Sequence, residues 1–233
     1  MIAKTKEADF FDYTEEFRTN RIRLITDGQA PVTLIDGPKI VLHIVPTKSF
    51  DRGMDLDTSL LELSNSDLRP ITPTGSGPIR FNFDGRLNAS YDGEKAGAYV
   101  QLFRNGIVES VSGYYFYLQD EKGEISVSAL EEELIEVTPK YLEIQRRLNV
   151  EIPCFVMISL IGIKGYKLAV DRQAPWVRHV IDRNELFLPN AAIDSFDCKS
   201  DRVLRPLFDR IWNTAGYPKS PNYDENGNWK RRR

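Results

Sequence analysis

The sequence predicts an α+β fold, in which an antiparallel β-meander or mixed sheet carries helices from the N-terminus, the middle and the C-terminus of the chain. Three observations lead to this class. Helical patterns lie at the ends and in the middle of the chain, whereas a parallel α/β sheet would alternate them with strands. The dipeptide Asn105-Gly106 separates two strand-like runs, as in a hairpin. The apolar run 154–163 is rich in β-branched residues and is typical of a central strand buried on both faces.

The N-terminal residues 1–28 are predicted to form a helix. Thr14 is suited to cap it, and Gly28 is suited to end it because glycine readily adopts the left-handed conformation found at helix ends. Phe10 and Phe17 fall near one face of this helix, which is the face expected to meet the core.

Strands are predicted after this helix. The run 39–45 lies between turn-forming residues, and the run 79–83 alternates apolar and polar side chains as a half-buried strand does. Residues 65–78, rich in proline, glycine, serine and threonine, are expected to form a long loop between them. The hairpin 98–112 is expected to turn at Asn105-Gly106 in a type I′ turn.

A meander is predicted to continue from this hairpin into a third strand at 114–118. The chain is then expected to turn at 120–123 into a short strand at 125–127. Further strands are predicted at 166–170 and 185–188, the second of them at an edge of the sheet.

Two helices are predicted between the meander and the central strand. Ser128 and Glu131 have the spacing of a capping box at the start of the first. Thr138 and Pro139 are predicted to start the second, which would end near Leu148.

The C-terminal helix is predicted at about 202–215, where apolar residues recur on one face. Pro206 is expected to kink this helix or to shift its start, and Gly216 is expected to end it. We therefore interpret residues 1–229 as a single domain with its long loop at 65–78. Residues 230–233 are interpreted as a disordered basic tail.

The composition is that of a soluble chain without membrane spans, and it carries a net charge of −3. The N-terminus lacks the apolar stretch of a signal peptide, and the low cysteine content is typical of the reducing cytoplasm, so we expect a cytoplasmic location. No close pair of cysteine or histidine residues, phosphate-binding loop or nucleophile motif is found in the sequence. The sequence thus predicts no catalytic residue, metal site or cofactor, and it favours a non-enzymatic role without excluding an enzyme whose site is assembled from distant residues.

The basic residues at the chain's C-terminus are either an arm that contacts nucleic acid or a solvated, disordered end beside aromatic residues that pack on the domain. The last four residues are all basic and follow Trp229, so they could combine phosphate contacts with base stacking. Three arginines near the N-terminus are expected to point away from the core, either as a basic patch or as a solvated helix face. The candidate nucleic-acid-binding residues are therefore Lys230, Arg231, Arg232, Arg233, Arg18, Arg21 and Arg23.

Five runs of the sequence resemble segments of a known group of bacterial proteins, in the same order. These runs are FRTNRIRLITDGQAPVTL (17–34), GPKIVLHIVP (37–46), YVQLFRNGIVESV (99–111), IPCFVMISLIGIKGY (152–166) and VLRPLFDRIWNTAGYPKSPNYDENGNW (203–229). They resemble the C-terminal region of proteins labelled ATP-binding that also carry an N-terminal Schlafen/AlbA-type DNA-binding domain. The nucleotide- and DNA-related motifs of that group belong to the N-terminal domain, so the resemblance assigns no site residue to this sequence.

The resemblance implies an accessory domain, bacterial and linked to defence or regulation, whose partner is a protein or the Schlafen/AlbA-type domain itself. Our leading hypothesis is therefore a non-enzymatic interaction domain of a nucleic-acid-binding partner. The first alternative is a metal-dependent hydrolase or nuclease that uses scattered acidic residues such as Asp84, Asp92 and Glu94. The second is a scaffold that self-associates as an oligomer through the edge of the meander and the aromatic run 114–117.

Overall fold

The computed structural model describes residues 2–119, 122–169 and 179–230 of the chain, with side chains in 10–116, 123–169 and 179–230. The helices in these ranges are α1 (Ile2–Thr26), α2 (Val127–Arg147) and α3 (Ser200–Asn213). The strands are β1 (Lys39–Pro46), β2 (Arg80–Asn82), β3 (Gly85–Asp92), β4 (Lys95–Phe103), β5 (Val108–Ser112), β6 (Phe116–Gln119), β7 (Lys122–Ile125), β8 (Cys154–Ile161), β9 (Lys167–Leu168), β10 (Glu185–Phe187) and β11 (Ala191–Ile193). Within the described ranges, no helix has both the length and the apolar character needed to cross a bilayer.

The main sheet is antiparallel and has the strand order β10-β8-β1-β5-β4-β3-β2. The short strand β11 pairs with the same edge of β8 as β10 does, farther along that strand. A second sheet has the order β6-β7-β9, and its β7–β9 pair is parallel. Helices at the start, middle and end of the chain accompany these sheets, so the predicted α+β class is confirmed.

The main sheet is covered on both faces. Residues of β1 alternate, so that Ile40 and Leu42 pack in the cluster formed with α2 and α3, whereas Val41 packs with Ile22 and Ile25 of α1. This two-sided burial explains why β1 and β8 are nearly continuous apolar runs, although the sheet is antiparallel. The predictions of a strand at 39–45 and of a central strand beginning at 154 are confirmed.

The predicted hairpin is present, but its turn is of another type. Among the described residues outside glycine, Asn149 alone has a positive φ, so Asn105 cannot take part in a type I′ turn. The amide of Gly106 donates to the Phe103 carbonyl over 3.0 Å, and Gly106 itself has φ 83°. The amide of Phe103 donates to the Ile107 carbonyl, which makes this a three-residue loop with glycine in the left-handed position.

The meander consists of β2, β3, β4 and β5, and the expectation that the strand after the hairpin joins it is wrong. That strand, β6, instead pairs with β7 in the second sheet. The strand β3 was not predicted, because its sequence GRLNASYD contains few apolar residues. The strand expected at 125–127 lies earlier, in β7. Residues 120 and 121 of the turn predicted at 120–123 lie outside the described part of the chain. Residue 170 of the strand predicted at 166–170 also lies outside it.

A single helix, α2, replaces the two helices predicted around Pro139. This proline lies inside α2 and provides no amide for the carbonyl of Ile135, four residues earlier. The Ser200 hydroxyl donates to that carbonyl over 2.9 Å, and the Thr138 hydroxyl donates to the Leu134 carbonyl over 2.7 Å. The helix therefore continues through the proline because side chains supply hydrogen bonds to the carbonyls of the preceding turn.

Two further predictions about helix ends are wrong. Thr14 is buried within α1, where its hydroxyl donates to the Phe10 carbonyl, so it is not a capping residue. Helix α2 starts after Ser126, and the Ser128 and Glu131 side chains contact the C-terminal segment, so they form no capping box. The expected end of α1 at Gly28 is supported by its φ of 72°.

Candidate functional site

The three arginines predicted to face outward from α1 lie in different environments. Arg18 is 2% exposed and Arg21 is largely buried, so the prediction of an outward direction is wrong for both. Arg23 is exposed and pairs with Asp27 one turn later. The three residues therefore form no continuous basic face, and Arg23 is the one that a nucleic acid could reach.

Arg21 binds a fully buried carboxylate, that of Glu109 on β5. Its Nε and one terminal nitrogen donate to the two oxygens of Glu109 over 2.8 and 2.7 Å. His43 Nε2 lies 2.9 Å from one of these oxygens, and the Tyr99 hydroxyl donates to the other over 2.7 Å. Burial by itself would raise the pKa of Glu109, but the hydrogen bonds from Arg21 and His43 outweigh it and hold the pKa at about 2.

The Glu109 cluster is closed to solvent, since Glu109, His43 and Tyr99 are each completely buried. A substrate would need access to at least one of these groups, and burial prevents it. We interpret the cluster as a structural ion pair that joins α1 to the sheet. His43 is thus a residue of the buried core.

Arg18 joins α1 to the edge of the main sheet that is formed by β10 and β11. Its guanidinium donates to the Leu188 carbonyl over 3.1 Å and to the side chain of Asn190, in the connection between β10 and β11. It also lies against the ring of Phe187. Burial lowers the pKa of Arg18, although the neighbouring Glu15 opposes this effect. These contacts assign Arg18 a role in holding the two segments together.

A second buried carboxylate, that of Glu131, fixes the C-terminal segment. One Glu131 oxygen accepts from Trp212 Nε1 over 2.7 Å and from the Ser220 hydroxyl over 2.9 Å. The other accepts from Asn222 Nδ2 and from Trp229 Nε1, both over 2.8 Å. Donors from α3 and from the following segment thus converge on one side chain of α2, which holds residues up to Trp229 against the core.

The described part of the basic tail consists of Lys230. Its ammonium group is exposed and lies 3.1 Å from an Asp224 oxygen, and its amide donates to the Asn222 carbonyl. Arg231, Arg232 and Arg233 lie outside the described residues. Lys230 thus lies directly after the segment bound by Glu131.

The acidic residues proposed for a dispersed metal site do not converge. Asp84 precedes β3, whereas Asp92 ends this strand and Glu94 follows in the next turn. Eight residues of extended chain separate the two ends of β3 by about 25 Å, so these carboxylates cannot bind one metal ion. Over the described ranges, no group of three or more histidine, cysteine, aspartate or glutamate side chains is arranged to hold a metal.

Among the side chains that the structure describes, the most exposed aromatic ones lie at the β2 edge of the main sheet. Phe81 in β2 is 57% exposed, and Phe83 in the following turn is 94% exposed. The prediction that 79–83 is a half-buried strand is therefore wrong for the phenylalanines. An exposed ring beside an unpaired strand edge is unfavourable in water, and such groups often mark interaction sites.

Three arginines lie close to these two phenylalanines, either in contact with them or next to them in the chain. The Arg86 guanidinium lies 4.6 Å from the centre of the Phe81 ring, and Arg104 Nε donates to the Phe83 carbonyl over 3.2 Å. Arg80 is exposed on β2 itself. No carboxylate among the described residues lies within ion-pair distance of any of the three. We call Arg80, Phe81, Phe83, Arg86 and Arg104 the edge surface.

The segment beside the edge surface adds apolar and acidic groups. Arg86 donates to the Leu61 carbonyl over 2.7 Å, and the adjacent Leu60 is 79% exposed. Hydrogen bonds from Ser59, together with the nearby Arg104 and Arg86, lower the pKa of Asp57. The surface therefore combines exposed apolar groups with charges of both signs.

Sequence reasoning missed the edge surface because alternation along 79–83 predicts one buried face without showing whether any element covers it. Comparison with known proteins provides no independent assignment: no protein-family model, no curated protein and no solved structure matches this chain. The resemblance to Schlafen/AlbA-associated proteins stays a prediction.

Proposed function

We propose that this chain is a non-enzymatic interaction domain that binds a protein partner along β2, through the edge surface. The observation that carries this proposal is the pair of exposed phenylalanines, Phe81 and Phe83, at one edge of a sheet whose two faces are covered. Aromatic residues and arginine are the residue types most often found at the energetic centres of protein interfaces. A partner strand added at β2 would bury both rings and pair the open edge.

The partner segment is expected to be extended, with apolar side chains at alternate positions and at least one carboxylate. Apolar groups would cover Phe81 and Phe83, and a carboxylate would pair with Arg80 or Arg104. Nucleic acid fits this surface less well, because Asp57 lies close to the arginines and Asp84 lies in the turn beside Phe83. The resemblance supports a Schlafen/AlbA-type nucleic-acid-binding domain as the partner, present in the same polypeptide or in a separate one.

A direct binding measurement tests this function. The probe is a Schlafen/AlbA-type domain, expressed separately and titrated into the fluorescently labelled chain. We expect saturable binding that Phe83→Ser weakens by about tenfold, as expected for an interface aromatic. Tyr91→Ser is the matched control, because Tyr91 is also exposed but lies at the opposite end of β3. Binding that is absent, or equally strong in all variants, would overturn the proposal.

Two other results would replace this proposal with a different one. Sedimentation could reveal a dimer that Phe83→Ser dissociates, and the edge surface would then be the interface of a self-associating scaffold. Labelled single-stranded DNA could bind with an affinity that Phe83→Ser lowers, and the edge surface would then be a base-stacking site.

A further inference from the structure

A cavity of about 390 Å³ lies beside the C-terminal end of α1. It is at the end of the main sheet that is farther from the hairpin loop 104–106. Its walls are the last turn of α1, the connection 28–37, the start of β1 and the end of β8. The connection is held in place by Ala96, which exchanges backbone hydrogen bonds with Thr33 and Ile35 over 2.7 and 2.9 Å. The residues that line the cavity include the apolar Ile25, Val32 and Ile161 and the polar Lys39, Lys95 and Asn184.

Lys39 is the unusual residue of this cavity, because it is a buried lysine without a carboxylate partner among the described residues. Its side chain is 5% exposed, and its ammonium group donates to the carbonyls of Gly37 and Pro38 over 2.6 and 3.3 Å. An ammonium group has three donors, so one of them is left for a ligand. Burial lowers the pKa of Lys39 to about 8, Asp36 opposes this effect, and Lys95 adds to it.

Lys95 supplies a second positive charge at the cavity. It lies 2.7 Å from an oxygen of Asp36, in a pair whose side chains are 46% and 93% exposed. Such an exposed ion pair contributes little stability, so Lys95 can leave Asp36 for a ligand at small cost. Two lysines beside one carboxylate leave the cavity with a local excess of positive charge.

We propose that this cavity binds a small organic anion, whose charged group pairs with Lys39 and Lys95 and whose apolar body lies on Ile25, Val32 and Ile161. The anion would supply the carboxylate or phosphate oxygen that the buried ammonium group lacks. The apolar walls would favour an alkyl or aryl group over a bare inorganic ion. This site is separate from the edge surface, so the proposal holds or fails independently of the proposed protein partner.

Thermal unfolding and calorimetric titration of the whole chain with three probes test the proposal. Heptanoate and hexyl phosphate carry the two candidate charged groups on a hexyl chain, and 1-hexanol has the same chain without a charge. We expect at least one anion to bind and to raise Tm with a saturable dependence on concentration, and we expect the alcohol to have no such effect. The anion that binds more tightly identifies the preferred charged group.

Variants assign this binding to the lysines. Lys39→Gln is expected to weaken binding by about tenfold or more, whereas Lys219→Gln, which removes an exposed lysine elsewhere, is expected to leave it unchanged. Because Lys39 is buried, Lys95→Gln at an exposed position provides a second test, and it is expected to weaken binding several-fold. Binding to the wild type is expected to decline as the pH rises through about 8, where Lys39 loses its proton.

Several results would overturn the proposal. The first is that neither anion binds at millimolar concentration. The second is that 1-hexanol binds as tightly as the anions. The third is that the Lys95→Gln and Lys219→Gln variants bind the anion with equal affinity and that the affinity of the wild type does not change with pH near 8. Inorganic phosphate alone provides a further arm. If it binds as tightly as hexyl phosphate, the apolar walls take no part in recognition and that part of the proposal is wrong.

Discussion

The Ser200 hydroxyl donates a 2.9 Å hydrogen bond to the Ile135 carbonyl, the carbonyl whose normal helical donor is missing because Pro139 has no amide hydrogen. Ser200 is the first residue of α3, so the start of one helix completes the hydrogen bonding of another. This contact connects the α2–α3 pair that covers one face of the main sheet. The Ile135 carbonyl, left without a helical donor by Pro139, thus has its partner 65 residues later in the chain.

We expect Ser200→Ala to lower the free energy of unfolding by about 1–3 kcal/mol, because it leaves a part-buried carbonyl without a donor. In a Pro139→Ala background the helix regains its own donor, so the same serine substitution is expected to cost much less. Urea unfolding of the four variants in a double-mutant cycle measures this coupling. Equal effects of Ser200→Ala in both backgrounds would show that the serine does not act by replacing the missing amide.

The Arg21–Glu109 pair is expected to be important for stability. Arg21→Met leaves a fully buried carboxylate without its cation and should lower the free energy of unfolding by about 3–5 kcal/mol. Arg23→Met removes a charge two residues later on the same helix, but from an exposed pair, and should change the free energy of unfolding by less than about 1 kcal/mol. Chemical denaturation of both variants checks this contrast, and similar values for the two would contradict the structural role assigned to Arg21.

The same pair predicts a pH dependence of stability. The pKa of Glu109 is about 2 in the folded chain, below the value of about 4.3 for an unperturbed glutamate. The folded state therefore favours the charged carboxylate, and its stabilising effect is present above pH 4.3 and is lost as the pH falls toward 2. We expect the difference in unfolding free energy between wild type and Glu109→Gln to shrink over this interval. Denaturation series at several pH values measure it, and a constant difference would contradict the assignment.

Glu131 is expected to control whether the C-terminal segment stays bound to the core. Glu131→Ala leaves the indole groups of Trp212 and Trp229 and the side chains of Ser220 and Asn222 without their common acceptor. We expect a loss of about 2–5 kcal/mol, because several buried donors become unpaired together. Limited proteolysis should then cut the segment before Trp229 faster than in the wild type.

Glu143→Gln provides the control for this experiment. Glu143 lies on the same helix in an exposed pair with Arg146, so its removal should change stability by less than about 1 kcal/mol and leave the cleavage rate unchanged. Unchanged proteolysis of Glu131→Ala would show that the hydrophobic contacts of Trp212 and its neighbours hold the segment without the carboxylate.

Local sequence patterns predicted the elements whose side chains are apolar on a regular period. The strand at 39–45, the run beginning at 154 and the amphipathic C-terminal helix all bury the residues that these patterns mark. Strand β3 has no such pattern, because its buried Asn88 and Ser90 are stabilised by carbonyls of Leu68 and Gly75 in the preceding loop. Nothing local to β3 shows that those acceptors exist.

The candidate site was predicted less well than the fold, for the same physical reason. An arginine on a helix is expected at the surface unless a partner elsewhere compensates its burial. The partners of Arg18 lie 170 and 172 residues later, and Glu109 lies 88 residues after Arg21. Likewise, the exposure of Phe81 and Phe83 depends on which elements fail to cover β2. Both properties follow from tertiary structure, so they were not visible in the residues themselves.

The basic tail provides the remaining test of nucleic-acid contact. Each phosphate that a basic residue neutralises steepens the dependence of log affinity on log salt by roughly 0.7–0.9. Removing the four basic residues 230–233 should therefore flatten the slope by up to about 3 on single strands and about 4 on duplex DNA. The net acidic body should itself repel DNA, which makes any contact local to the tail. Fluorescence anisotropy with labelled single-stranded and duplex DNA across a salt series measures the slope. Lys199→Gln together with Lys219→Gln controls for the loss of exposed positive charge elsewhere. An affinity and slope that survive the deletion unchanged would exclude the tail as a nucleic-acid contact and leave Arg23 as the one exposed arginine of the predicted α1 face to test.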